Sequence, residues 1–518
     1  MTHPPPPHGD AGSKPAVKYD YAKCDLEYCD NYALFSHGAC HLCGGSYCYE
    51  HVENIEHHIC YTDPQEETKY NGCRLDPFLD EVIAFHKNID YDAVKEEVEI
   101  LRSPHKCTHF DKPTKAFELR RLTGSFNTHI IINFDDEVKW VMRIRRKTSR
   151  CVPEDAIIEC HRHEIATLKA LEENGVKVPR SYERPKDSKL SNDLLYFYQE
   201  YVEGVPSWKL DEDSNGFMRR EHGLTPAHIR FVNDYAAWSI QLETMVSPQG
   251  VGCIGSNQDG SWRVGPHIEK GRNLSLESPY SSGPFDTPKQ RWLHSIECRM
   301  KFILEKRESS PHEELLHYLK FLELRELVKG CAELEEGPWT LKHNDLHQGN
   351  FRVDQATGEL KGVIDWEWAS YTGKAEAFAS PSWLSRGTKK ASLNALGDME
   401  KQLIIAYEEL GRPDLAEIVK GSAKYHCLEQ AVNHYSVHLS TLNATYKAFL
   451  GIPDDKRGKP QTIEEWMDTR MKSFQADPGL QILLKRKPSQ LLPKLLDHHE
   501  VRELHWARKN AQGQTSQQ

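Results

Sequence analysis

The stretch HNDLHQGNFRVDQATGELKGVIDWEW, from His343 to Trp368, constrains this chain more than any other. A polar loop opens it. Two short apolar runs follow, joined by Thr357-Gly358, which reads as a hairpin. The second run ends at Asp365, so the fold must return that carboxylate towards the loop it left. Asp345 and Asn350 lie five apart within the loop. Phosphoryl transfer needs a carboxylate to orient or accept the proton of an attacking hydroxyl, and oxygen ligands for magnesium. Magnesium takes one or two carboxylates together with phosphate oxygens and water. The spacing therefore predicts Asp345 as the base and Asn350 and Asp365 as magnesium ligands. His343 and His347 read as residues that brace the loop, and Trp366 and Trp368 as core.

The rest of the chain supplies the setting. Its 518 residues exceed one ordinary core and suggest roughly three domains. An apolar fraction of 38% and a charged fraction of 28% suit a soluble globular protein. No apolar run approaches the roughly 18 residues a membrane span needs, and the opening MTHPPPPHGDAGSKP contains no leader-like segment. The net charge of −11 argues against nucleic acid as a partner. These features predict an intracellular protein, cytoplasmic, with the nucleus left open. The boundaries read as a Pro-rich tail over 1–20, a Cys/His cluster over 21–62 and a linker with one helix over 63–110. A strand-rich lobe over 111–205, a helical lobe over 206–480 and a tail over 481–518 follow.

Within the strand-rich lobe, THIIINF and KWVMRIRR read as strands joined by an Asp-Asp turn, and a helix is expected from about Glu154 to Asn174. The turn LTGSFNTH offers Gly124, Ser125 and Asn127, small groups that let backbone amides approach phosphates. Arg143 lies on a strand where a cation would meet the α- and β-phosphates. Glu164 sits on an apolar helix face and wants a cationic partner, for which Arg143 is the natural choice.

HNDLHQGN…VIDWE resembles the aminoglycoside phosphotransferase and choline kinase-like family, whose usual form is H-G-D-L-H-x-x-N followed by I-D-W/F-E. GSFNT, VMRI, RHEIATLKAL, VKVPRSY and YQEYVEG extend the likeness over roughly residues 110 to 480. The resemblance implies an α+β, bilobal protein-kinase-like fold that moves the γ-phosphate of ATP or GTP to a small-molecule hydroxyl. It places Glu200 and Val202 at the hinge, with backbone groups facing the nucleobase. VGCIGSNQDGSWRVGP resembles a loop of fungal members and hints at a fungal source. Asn344 stands where the family often has glycine, and Arg143 where protein kinases have lysine. A pseudokinase scaffold is the rival reading. The helical lobe carries no motif that names the phosphate acceptor.

Six of the 14 cysteines fall between Cys24 and Cys60. Their short internal spacings, with histidines interleaved, fit tetrahedral structural zinc. A segment this short cannot build a core, so metal binding would supply its folding energy, on the order of 10 kcal/mol per site. The pattern resembles the AN-one type zinc finger, which implies two zinc ions. One would be held by Cys24, Cys29, Cys48 and His51, the other by Cys40, Cys43, Cys60 and a late histidine. His58 keeps the H-x-C ending and His57 the five-residue gap; His58 is taken. Nothing in the cluster interleaves aromatic and basic residues, so it suits a protein partner.

Overall fold

The computed structural model describes residue 82 and residues 85–111, 122–124, 126–146, 154–212, 223–247, 250–257, 259–269, 281–306, 313–385, 394–433, 437–452 and 462–486. The expectations for the Cys/His cluster and its two zinc ions, and for Ser125, lie outside these residues. None of the described helices is long and apolar enough to cross a membrane.

The first lobe is an antiparallel sheet. Helix α1 (Tyr91–Leu101) begins at Asp90, whose side chain accepts from the N–H groups of Asp92 and Ala93. Strands β1 (Cys107–Asp111), β2 (Asn127–Phe134) and β3 (Lys139–Arg145) follow. Helix α2 (Glu154–Glu173) then leads to β4 (Ser181–Glu183) and β5 (Tyr196–Glu200), giving the order β1-β2-β3-β5-β4. One sheet face is apolar, with Ile130, Ile132, Met142 and Ile144 packing under Val94 and Val98 of α1. Residues 91–110, expected from sequence as part of a linker with one helix, thus contribute that helix and most of an edge strand to this lobe. The opposite face is polar. There β2 and β3 pair Asn127 with Arg145 and His129 with Arg143. The two-residue period of a strand puts all four on one side.

The second lobe is mostly helical. Strand β6 (Val205–Pro206) precedes α3 (Pro226–Ile240), which starts with a capping box between Thr225 and His228. Strand β7 (Val246–Ser247) and the hairpin β8 (Ile254–Ser256) and β9 (Trp262–Val264) lead to α4 (Pro288–Leu304) and α5 (Glu314–Gly330). The motif segment runs through β10 (Trp339–Lys342), β11 (Phe351–Val353), β12 (Leu360–Val363) and β13 (Ser370–Gly373). Strands β11 and β12 form the expected hairpin, and β6 adds to its edge. The carboxylate of Asp354 folds the hairpin loop by accepting from the N–H groups of Ala356 and Thr357 at 3.0 and 2.9 Å. Gly358 has φ +77°, and a Cβ there would also collide with the Ala227 carbonyl on α3. Further helices at Asp398–Glu409, Pro413–Lys420, Ala423–Asn433, Leu439–Leu450, Ile463–Ser473 and Pro478–Lys485 close the lobe.

Candidate functional site

The loop after β10 is braced from within. His343 is 1% exposed and its ring packs on Trp366. Its Nδ1 accepts from the Asp345 N–H at 3.2 Å, so the ring proton sits on Nε2, which donates to the Ile364 carbonyl at 3.0 Å. This is a bracing histidine. Asn344 adopts φ +58°, a left-handed turn that asparagine tolerates. Its amide donates to the Trp368 carbonyl at 3.0 Å and to Ser370 Oγ at 2.8 Å. His347 is more exposed; its Nδ1 accepts from the Gly349 N–H, and its Nε2 lies 3.9 Å from Asp345 Oδ1.

Asn350 ties the loop together, bonding to Asp345 on one side and to the residue before Asp365 on the other. Asn350 donates through its amide to the Asp345 carbonyl at 2.9 Å, which leaves its side-chain oxygen as the ligating end. The Asn350 carbonyl accepts from the Ile364 N–H at 3.0 Å, binding the loop to the residue before Asp365. Asp365 itself has φ +72°. Asp345 is buried to 9% exposure at the loop's centre. Carboxylate and amide oxygens suit a hard divalent cation, and Asn350 and Asp365 could hold magnesium by their donor atoms.

Arg143 of β3 makes the expected pair with Glu164 of α2, Nε to Oε2 at 3.0 Å. It also donates to Asp365 Oδ1 and, through Nη1, meets His129 Nε2 at 3.3 Å. Burial alone would raise the Asp365 carboxyl, but the Arg143 guanidinium outweighs it and the pKa falls. Glu164 is more deeply buried, and there burial wins and raises its pKa. His129 is pushed down to about 4 by burial and by Arg143. His161, on α2, falls to about 4 by burial, with Arg145 and Arg143 adding to it.

A second pair, absent from the sequence reading, runs beside the first. Arg145 donates to Glu367 Oε2 with both side chains nearly inaccessible. Asn127 donates to the same oxygen at 3.0 Å. The side chain of Asn127 is therefore spent on Glu367. The signal was present in the alternation: Arg143 and Arg145 on one strand face, Asp365 and Glu367 two apart. Phe126 rests edge-on against Trp368, ring centroids 5.3 Å apart, closing the turn over the same segment.

Gly124 sits in that turn, its N–H bonded to the Asn127 carbonyl and its own carbonyl to Arg146. A Cβ there would meet nothing closer than 3.9 Å. Glu200 ends β5 with its N–H bonded to the Arg180 carbonyl and its carboxylate accepting from the Arg180 N–H. Val202 packs onto β12, where a Cβ on Gly362 would lie 2.9 Å from its Cγ1. Both residues therefore sit where the chain crosses from sheet to hairpin.

Residues 270–373 match the phosphotransferase enzyme family model. That span holds the loop, the hairpin and Asp365. Clavilactone A biosynthesis cluster protein Y of Ampulloclitocybe clavipes is 30% identical over 153 residues, 28% of this chain and 35% of that protein. The chain thus spans about a third of the curated relative it matches. Among solved structures, the ADP-bound aminoglycoside phosphotransferase APH(2'')-Ib aligns with 13% identity over 70% of this chain and 99% of its own, TM-score 0.39. The macrolide 2'-phosphotransferase MphH of Brachybacterium faecium aligns with 13% identity over 72% and 99%, TM-score 0.37. At such scores no residue roles transfer from either.

Proposed function

We propose that this chain is a small-molecule kinase that moves the γ-phosphate of ATP or GTP to an acceptor hydroxyl. The observation that carries this reading is the convergence of Asp345, Asn350 and Asp365 through the bonds joining loop to hairpin. Asp345 would orient the hydroxyl and take its proton, while Asn350 and Asp365 would hold magnesium. Bound magnesium supplies charge neutralisation at the β- and γ-phosphates. Arg143, positioned by Glu164, would grip phosphate oxygens through its planar fork. Ser125 would offer its backbone N–H to the phosphates, with Gly124 closing the turn on the Asn127 carbonyl and Asn127 bracing it through Glu367. Glu200 and Val202 would present backbone groups to the nucleobase. The family match over 270–373 supports phosphotransfer.

The test is magnesium-dependent turnover of ATP and GTP over a panel of hydroxylated metabolites. Asp345→Ala should lower it by roughly 10²–10⁴-fold, the usual worth of a positioned acid-base group. Activity surviving that change sinks the mechanism.

One observation favours a second reading, a pseudokinase scaffold: Arg143 already donates to Asp365, the proposed metal ligand. Nucleotide binding without turnover in the wild-type chain would select it. In either reading the Cys/His cluster would bind two structural zinc ions and dock a protein partner. Elemental analysis giving two zinc per chain supports the cluster as a finger, and none refutes it.

A further inference from the structure

Each nitrogen of the Arg143 fork has its own partner. Nε donates to Glu164 Oε2 at 3.0 Å, and Nη2 donates to Asp365 Oδ1 with Glu367 Oε2 3.6 Å from the same nitrogen. Nη1 meets His129 Nε2 at 3.3 Å. A guanidinium can only donate, so Nε2 is the acceptor and the ring proton sits on Nδ1. Nδ1 in turn donates to the Leu122 carbonyl at 2.8 Å. That carbonyl also accepts from the His129 N–H at 2.9 Å. One ring therefore joins the Arg143 fork to the base of the turn that Leu122 opens.

The sheet explains the contact. Strands β2 and β3 run antiparallel and set His129 directly opposite Arg143, close enough for their side chains to interact. The chemistry of the ring explains why it suits this place. Three carboxylates already surround Arg143, and a fourth at position 129 would cancel more of the charge that a phosphate needs. A neutral acceptor orients the fork and leaves its charge intact. Burial and Arg143 keep the ring neutral, its pKa down at about 4. The partners also differ in access. The Glu164 side chain is 2% exposed and that of Asp365 25%. Nε is thus held from the interior and Nη1 by a ring braced on the backbone, while Nη2 binds a partner that solvent reaches.

We infer that His129 is a positioning residue for nucleotide binding: it fixes the Arg143 fork against the turn opened by Leu122, so that Nη2 can exchange Asp365 for a phosphate oxygen while Nε and Nη1 stay in place. Without this anchor the fork pivots about Nε. His129 acts through Arg143 and not on the phosphate itself. For the phosphate, this role rests on the phosphotransferase reading above; the tautomer of the ring does not.

Two measurements on the full chain test this. Long-range proton–nitrogen NMR of the histidine rings at neutral pH should show His129, assigned by its loss in His129→Gln, with its proton on Nδ1. A proton on Nε2 overturns the inference, whatever the chain does with nucleotide. Calorimetric titration with Mg·ATP and Mg·GTP is the second measurement. His129→Asn keeps an amide N–H for Leu122 but falls short of Arg143, and should weaken the bound triphosphate about tenfold, the effect of one hydrogen bond to a charged group. His129→Gln brings an amide oxygen within reach of Nη1 and should recover most of that affinity. Both variants lose the ring, so equal losses, or none, would mark a merely structural residue and overturn the inference. A wild-type chain that binds Mg·ATP or Mg·GTP without turnover sinks the kinase reading and leaves this one standing. Turnover with the same affinity in all three chains sinks this one alone, and a wild type that binds neither triphosphate overturns both.

Discussion

Two ion pairs run side by side from β3 to the end of the motif hairpin, and they differ most in their exposure. Arg143–Asp365 keeps a quarter of the aspartate side chain accessible, whereas Arg145–Glu367 is sealed, with neither side chain above 2%. The chemistry is the same and the surroundings are not. A pair that solvent can reach can trade its partner for a cation or a phosphate at modest cost. A sealed pair cannot, because separating it leaves an uncompensated charge in a low-dielectric interior. The accessible rung is therefore suited to chemistry and the sealed rung to holding the sheet against the hairpin.

The sharpest way to break this comparison is to remove one member of each. Glu367→Ala leaves Arg145 buried without its carboxylate and should cost about 3–5 kcal/mol of unfolding free energy, read by urea denaturation. The double change Arg145→Met with Glu367→Met should recover most of that loss. A single variant as stable as the wild type would place the sealed pair outside the fold's framework. Asp365→Asn should cost less, on the order of 1 kcal/mol, because its site is wetter. It should nevertheless abolish magnesium-dependent turnover. Loss of stability equal to that of Glu367→Ala would erase the distinction.

Acid offers a milder probe of the polar sheet face. His129 and His161 have folded pKa values of about 4, below the ordinary 6.5. The unfolded chain therefore protonates first as pH falls. The stability these histidines contribute is complete above about 6.5 and is lost towards about 4, by at most about 1.4 kcal/mol per pH unit for each. Melting temperature followed from pH 7.5 to 5 should fall, and His129→Gln should flatten the slope. An unchanged slope would mean that the neutral ring is not what this face requires. Smallest of all, Asn344→Gly relieves a left-handed residue but loses two hydrogen bonds. Its net effect should stay within about 1 kcal/mol by thermal unfolding.

The candidate site is partly legible in the sequence. Asp345, Asn350 and Asp365 were legible because loop, hairpin and carboxylate occur at spacings that only a return of the chain explains. Arg143 and Glu164 were legible because a buried charge needs an opposite one. Arg145 and Glu367 are not legible in this way, because a glutamate between two tryptophans gives no sign of which element will cover it. The contribution of residues 91–111 to the sheet was also hidden. Nothing local reveals that β1 pairs with β2 across residues 112–126, since strand pairing is decided by partners distant in sequence.

Gly358 carries a final consequence. It lies buried in a hairpin turn whose residues 355–357 are exposed, a place where epitope tags, fluorophores and permuted termini are usually inserted. Its φ of +77° and the Ala227 carbonyl against it make this tip a keyed joint. A saturation library across the turn should therefore return glycine at this position and variety around it, and a tag placed there would shift the hairpin that carries Asp365.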